Sequence, residues 1–598
     1  MKQRPDIVII MTDEERAAPP YEADELTTWR SDTLAASHWF GENGVTFNRH
    51  YTGSLACVPS RPTIFTGQYP DVHGVTQTDG LGKMANDSRM RWLPAGEVPT
   101  LGHWFQAAGY DTHYDGKWHI SHADLGDPIT GGPLATNNSA GVVDEKAVQA
   151  YLDANPLEPY GFSGWVGPEP HGAQLANSGF RRDPIIAARV VTWLKDRYKR
   201  RRAGDEDAQR PFLLVASFVN PHDIVLWPLW ARRGLPFPDA QKKNDLPRSP
   251  HNPPPVAAAP TANEDLATKP AAQIAYRASY PTGYGPPAAV NRAYNKRAQE
   301  YRDLYYRLHA EVDVPIGQVR RAVTEDGSDT AVIVRTSDHG ELLGAHGGLH
   351  QKWFNLYEEA TRVPFSIVRV GEKSAQPLVV DDAPTSHVDI LPTLLAAAGI
   401  DEELTANKLA LSFSEVHALP GRNLMPVVDG EQVADRDRPV YLMTRDNMLE
   451  GDTGASAVAR RKGKIDNPPI FLRIQVPAHV GSNFEGLIAR VSTDLGGEDH
   501  LWKLVRTFDD PATWTEPHER HLAANGIAGA SYRTERLPDQ WELYDLSDDP
   551  NEAQNRWLDE AARRVFAHLQ QALTDERSRC LPVRSNPWPY VSRLGRSG

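Results

Sequence analysis

Cysteine is nearly missing: the 598 residues hold two, Cys57 and Cys580. Two thiols make at most one disulfide, which excludes the cross-linked framework of small secreted domains. Cys580 reads as an incidental thiol, so any cysteine chemistry falls to Cys57. Long apolar runs are lacking too, and no stretch approaches the roughly 18 residues that a membrane-spanning helix needs. The run from Ile7 to Met11 lies close behind Met1-Lys2-Gln3-Arg4-Pro5 and is too short for the core of a signal peptide, so the chain is expected to stay in the cytoplasm. Positive charge is not in excess. With 64 Lys and Arg against 78 Asp and Glu, the net charge is −14, which sets nucleic acid and anionic membranes aside as main partners. An anionic substrate has to be gripped by local cations instead of the overall field.

What is present is ordinary in bulk and specific in pattern. Hydrophobic residues make up 40% and charged residues 24%, as in a globular protein, and the length calls for one large α/β domain with an appendage. Short apolar runs that end in ionisable residues recur. Asp6 to Thr12 ends in Asp13-Glu14, and Tyr110 to Tyr114 ends in Asp115-Gly116-Lys117-Trp118-His119. Phe212 to Val219 ends in Asn220-Pro221-His222-Asp223, and Thr330 to Ser337 ends in Asp338-His339-Gly340. Their length and β-branched content read as buried strands of a mostly parallel sheet. Helical patterns over residues 100–108, 184–198 and 298–323 separate them, which is the α/β signature. Ligands of such sheets bind beyond the carboxyl ends of the strands. Loops are polar in any protein, but four runs ending in these residue types point to one shared site.

The segment from about 235 to 287, rich in Pro, Ala and Asn, reads as an insertion or lid held by packing, without secondary structure of its own. After about residue 445 the texture changes to shorter strands, over 502–507 and 541–546, followed by a helix from about 553 to 574. The chain therefore divides into a catalytic domain, 1–445, and a smaller α+β subdomain, 446–598, with an antiparallel sheet and a terminal helix.

Asp13, Glu14 and Asp338 are expected to converge at one sheet edge, where three negative charges repel unless a cation sits between them. A hard divalent ion with oxygen ligands meets that need, Ca²⁺ first. His339 adds a nitrogen donor, which leaves Mg²⁺ or Mn²⁺ open. An unmodified thiol at Cys57 is a poor ligand for such an ion.

Cys57-Val58-Pro59-Ser60-Arg61 resembles the Cys-X-Pro-Ser-Arg recognition sequence of the type I sulfatases, and further segments match that family in order, ending in Glu542-Leu543-Tyr544-Asp545-Leu546-Ser547-Asp548-Asp549-Pro550-Asn551-Glu552. The resemblance implies the alkaline phosphatase fold: a large mixed, mostly parallel sheet flanked by helices. It implies that Cys57 is oxidised by a formylglycine-generating enzyme to an aldehyde whose hydrate attacks sulfur and supplies an oxygen to the metal. It implies metal ligation by Asp13, Glu14, Asp338, His339 and the modified residue 57, with Glu14 departing from the family's second aspartate. Pro59 suits the first turn of a helix over 60–67, which places residue 57 near a helix N-terminus that favours anions.

The same resemblance assigns the cations. Arg61 holds the modified residue, Lys117 touches it and a sulfate oxygen, and His119 takes a proton from the second hydroxyl so that C–O cleavage expels sulfate. His222 and Lys352 serve the leaving-group side. His346 and His350 are extra histidines that raise a two-metal arrangement, against which the cysteine motif argues. The implied activity is hydrolysis of a small sulfate ester; the alternative is a phosphonate monoester or phosphodiester hydrolase on the same scaffold. Neither the particular ester nor the oligomeric state is readable.

Overall fold

The computed structural model describes residues 4–588 apart from 81–82, 84, 86, 88–89, 171–173, 232–248, 326, 328–329, 372–375, 448–449, 451–479 and 524–530. In chain order its strands are β1 (Asp6–Asp13), β2 (Val45–Phe47), β3 (His50–Tyr51), β4 (Asp111–Gly116), β5 (Phe212–Pro221), β6 (Ala331–Ser337), β7 (Phe365–Val370), β8 (Leu378–Val380) and β9 (Thr385–Ser386). They continue as β10 (Val440–Arg445), β11 (Asn483–Val491), β12 (His500–Phe508), β13 (His521–Ala523), β14 (Ser531–Arg533) and β15 (Gln540–Asp545). The large sheet has the order β4-β5-β1-β6-β7-β2-β8. β4, β5, β1 and β6 run parallel, and β7 is antiparallel to both β6 and β2. The sheet is thus mixed and mostly parallel, as expected.

The period of two in β1 builds both layers at once. Ile7, Ile9 and Met11 face one core with Val58, Ile64 and Phe65 of the helix Cys57–Thr66. Val8 and Ile10 face the other, with Ile186 and Val190 of the helix Gly179–Arg202 and Val312 and Ile316 of the helix Ala298–Thr324. All of these strand residues are buried, and each contributes roughly 1.5–3 kcal/mol by leaving water. The four parallel strands end at the same edge, so Asp13, Lys117, His222 and Asp338 are brought together by register alone.

A second sheet, β10-β11-β12-β15, is antiparallel throughout. One face, with Leu487, Leu504 and Leu543, takes Val565, Leu569 and Leu573 of the helix Arg563–Cys580. The other face, with Leu442, Phe484, Val505 and Tyr544, packs on Trp353, Phe354 and Tyr357 of the large domain. Its first strand begins at Val440, ahead of the division drawn at 445, and 451–479 lie outside the described residues.

Some expectations need correction. The proline-rich insertion is not without secondary structure. Ala271–Ser279 and Pro287–Lys296 are helices, and Tyr276, Tyr280, Tyr284 and Tyr294 bury their rings in the core, which offsets the weak local propensity. Residues 235–248 of that stretch lie outside the described residues. The terminal helix starts at Arg563, about a turn and a half beyond Gln554 to Asp559, where loop hydrogen bonds to Asp549 and Asn555 hold the chain instead. The helix after the cysteine starts at Cys57 itself, three residues earlier than expected, because Pro59 and Pro62 fall where a lost N–H or a half-turn bend is tolerated. Among the described residues no helix is long and apolar enough to cross a membrane.

Candidate active site

Four connections at the carboxyl edge of the sheet turn through left-handed backbone. Glu14 has φ 68°, Ala56 φ 62°, His119 φ 54° and Gln351 φ 63°. Non-glycine residues in that region each store about 1–3 kcal/mol, which persists only where the surroundings over-determine the chain, as at functional sites. Gly116, at φ 104°, is a different case: a Cβ there would stand 1.9 Å from Ser217 O. The bare backbone lets Lys117 N donate to Ser217 O at 2.9 Å and sends the lysine side chain across the sheet edge.

Cys57 is the first residue of its helix and is buried among charges. Its Sγ lies 3.2 Å from His339 Nε2, 3.6 Å from Asp13 Oδ1 and 3.9 Å from Lys117 Nζ. Ligand atoms of Asp13, Cys57, Asp338 and His339 all lie within 4.8 Å of one another. Arg61, one turn along the helix, is fully buried and bridges the two aspartates: Nη2 to Asp13 Oδ2 at 2.8 Å and Nε to Asp338 Oδ2 at 2.9 Å. Its Nη1 donates to Lys117 O at 2.6 Å and to Ser217 Oγ at 3.0 Å. Lys117 Nζ pairs with Asp13 Oδ2 at 2.7 Å.

The electrostatics follow from burial and these pairings. Burial alone raises carboxyl pKa values, yet Lys117, His222, Arg61 and His339 hold Asp13 well below the usual carboxylate range. Burial and the facing Asp13 push Asp338 up to about 7, although Arg61 and Lys117 pull the other way. Burial and the same carboxylates push the Cys57 thiol up, so as a thiol it is held protonated. This is a poor setting for a cysteine nucleophile. It is a good one for an oxygen donor and a further cation.

The remaining expected residues fall around this centre. Lys352 Nζ pairs with Glu14 Oε2 at 2.8 Å, and His222 Nε2 lies 4.0 Å from the same oxygen. Burial works against the Lys352 ammonium, but Cys57, Glu14 and Asp13 keep it protonated, above its ordinary range. His119 has its Nε2 on Asp79 Oδ1 at 2.6 Å, and its backbone N–H donates to Glu169 Oε2 at 2.9 Å. Burial lowers the His119 pKa, and Asp79 opposes that fall. Asp79, Glu169 and Ser217 belong to the site and went unread in the sequence. Only Asp79, in the loop behind the motif helix, carried a local signal, as a lone carboxylate beside Gly80. His346 and His350 stand apart from the centre: His346 sits between Glu264 and Glu359, and His350 stacks on Tyr294 at 3.7 Å.

The model of the Sulfatase family matches residues 5–400 of this chain. The chain belongs to the sulfatase family. It is therefore a hydrolase of sulfate esters on the alkaline phosphatase scaffold. Among curated sulfatases, the uncharacterized sulfatase YidJ of Escherichia coli (strain K12) is 26% identical over 434 residues, 71% of each chain. Among solved structures, a 2-O GAG sulfatase superposes with TM-score 0.58 at 18% identity, covering 96% of this chain and 92% of that one. The phosphonate monoester hydrolase of Agrobacterium radiobacter superposes with TM-score 0.54 at 20% identity, covering 97% and 96%. At such identities the likeness concerns the fold. The sulfatase site is built of side chains, and fold alone does not choose the chemistry.

Proposed function

We propose that this sulfatase cleaves a sulfate monoester with a formylglycine at position 57 and one divalent metal ion, releasing inorganic sulfate and an alcohol or phenol. The observation that carries the reading is the convergence of Cys57 Sγ, Asp13, Asp338, His339 and Lys117 within one buried cluster. The thiol sulfur marks the place of the aldehyde oxygens. Oxygens there, two carboxylates and an imidazole suit Ca²⁺, Mg²⁺ or Mn²⁺ better than a thiolate does. The raised Asp338 is the sign that the cluster tolerates one more positive charge. Asp13, Asp338, His339 and an oxygen of residue 57 would hold the ion, whose chemistry is to lower the pKa of the attacking hydroxyl.

The chain's own residues do the rest. Arg61 and Lys117 face the sulfuryl oxygens and fix residue 57, and charge-stabilising donors of this kind are each worth roughly 3–4 kcal/mol of barrier. Lys352 or His222 gives a proton to the departing oxygen. His119, oriented by Asp79, takes the proton of the second hydroxyl, so that sulfate leaves by C–O cleavage and the aldehyde returns. A formylglycine-generating enzyme is the maturation partner. Phosphonate or phosphodiester hydrolysis is the second reading, favoured by a structural likeness nearly as close as that to a sulfatase; Lys117 and His119 favour sulfate.

Mass spectrometry of the tryptic peptide spanning residues 50–83 tests the first step, since conversion leaves it about 18 Da lighter than the cysteine form. Rates on aryl sulfates against aryl phosphodiesters test the second. An unconverted peptide from an active preparation, or faster turnover of the diester, removes the proposal.

A further inference from the structure

We infer that Glu14 is a positioning residue for Lys352 on the leaving-group side, and not a ligand of the divalent ion. The inference rests on the reading above, which gives Lys352 its role and the ion its place.

The two consecutive carboxylates diverge. Asp13 turns into the cluster with Cys57, Asp338 and His339, whose ligand atoms share a 4.8 Å sphere that Glu14 does not enter. It is the Glu14 backbone that meets this cluster, its N–H donating to Asp338 Oδ1 at 3.1 Å. The left-handed turn at Glu14 carries the side chain the other way. There Oε2 takes Lys352 Nζ at 2.8 Å with His222 Nε2 4.0 Å off, and the carboxyl group faces that of Glu341. Glu341 in turn holds the loop that delivers Lys352: its Oε1 accepts from Leu343 N at 2.8 Å, Gln351 N at 2.8 Å and Tyr301 Oη at 3.0 Å. Glu14 Oε1 makes no hydrogen bond, so its reach toward a cation is the point on which the inference can fail.

Length matters here. A lysine stem carries about 2 kcal/mol of rotamer entropy, and Lys352 has lost it, being 2% exposed. Glu14 is the carboxylate partner that fixes its Nζ. An aspartate at 14 would draw the carboxylate back by about 1.5 Å, beyond hydrogen-bond reach of that nitrogen.

The test uses the full chain in two forms. Metal-stripped protein, wild type and Glu14→Gln, Glu14→Asp and Asp338→Asn, is titrated with CaCl₂ by calorimetry. Both Glu14 variants are expected to bind within about threefold of wild type, and Asp338→Asn about 100-fold more weakly. Converted enzyme is then assayed on aryl sulfates of rising leaving-group pKa. Glu14→Gln and Lys352→Ala are expected to lose most on the poorest leaving groups, and the double variant to be no worse than Lys352→Ala alone. Melting curves on each variant confirm that it is folded, and the near-isosteric Gln keeps the site filled. Calcium affinity falling in Glu14→Gln as far as in Asp338→Asn overturns the inference, as do independent, multiplying losses in the double variant. If Lys352→Ala leaves the leaving-group dependence unchanged, the assignment of Lys352 itself is wrong and both readings go.

Discussion

Arg61 carries the charge balance of the centre. It is fully buried, and its fork touches Asp13 and Asp338 with two different nitrogens. Replacing it with Met keeps much of the volume but leaves two buried carboxylates short of a partner. Breaking one side of such a network costs about 3–5 kcal/mol, which urea denaturation of Arg61→Met should register along with loss of turnover. Asp79 makes a subtler case. It opposes the fall of the buried His119 pKa through a 2.6 Å hydrogen bond. In Asp79→Asn the His119 pKa falls further, so the acid limb of the kcat/KM profile, where the base must be neutral, shifts to lower pH while the maximum drops by about 10–100-fold. A profile that loses height without moving would assign Asp79 a structural role only. Cys57, Arg61 and Lys117 were legible because each sits in a contiguous motif. Asp79 and Ser217 were not, because a lone acid in a loop or a serine inside an apolar strand has no spacing to betray it; only the folded register brings them to His119 and Arg61.

Elements were legible where they were long and of one period. The runs that end in Asp13, Lys117, His222 and Asp338 are β1, β4, β5 and β6 within a few residues. β2 and β8, three residues each, carry too little pattern, and the antiparallel placement of β7 is a matter of pairing, which no run of residues encodes. The helix Ala271–Ser279 was hidden for a related reason: its neighbourhood is rich in proline and alanine, and its stability comes from tyrosines packed against distant parts of the chain. The junction of β4 with its loop offers an element-scale test. Gly116→Ala places a methyl group 1.9 Å from Ser217 O at a φ of 104°. Strand and loop must part to accept it, at a cost of about 2–4 kcal/mol. Because the displaced loop carries Lys117 and His119, kcat should fall by more than tenfold even in the folded fraction. Unchanged kcat in a merely less stable protein would show that the loop can absorb the shift.

At the scale of the whole molecule, three parts of the chain are tied through buried charge around His346. Its ring lies 3.4 Å from Glu264 of the insertion and 3.3 Å from Glu359 of the large domain, stacked at 3.5 Å on Tyr357. Lys269 of the insertion donates to Tyr544 Oη at 2.8 Å and to Glu552 O at 2.7 Å, and Lys503 bridges Glu358 and Glu552 at 2.8 and 2.9 Å. The smaller subdomain is thus docked by an apolar face ringed with compensated ions. Burial lowers the His346 pKa, but Glu359 and Glu264 outweigh it and raise the value from 6.5 to about 9. A group raised on folding stabilises fully below its unfolded pKa and loses that contribution as pH climbs through the folded one. Unfolding free energy should therefore fall by about 3 kcal/mol between pH 6.5 and somewhat above 9 on account of this group alone. Other groups titrate in the same range, so the quantity to measure is the difference between wild type and His346→Asn in urea at each pH. That difference should be largest below pH 6.5 and shrink steadily through about 9. A gap that stays constant across the range would mean that His346 is neutral in the folded protein and that packing on Tyr357, not charge, ties the parts together.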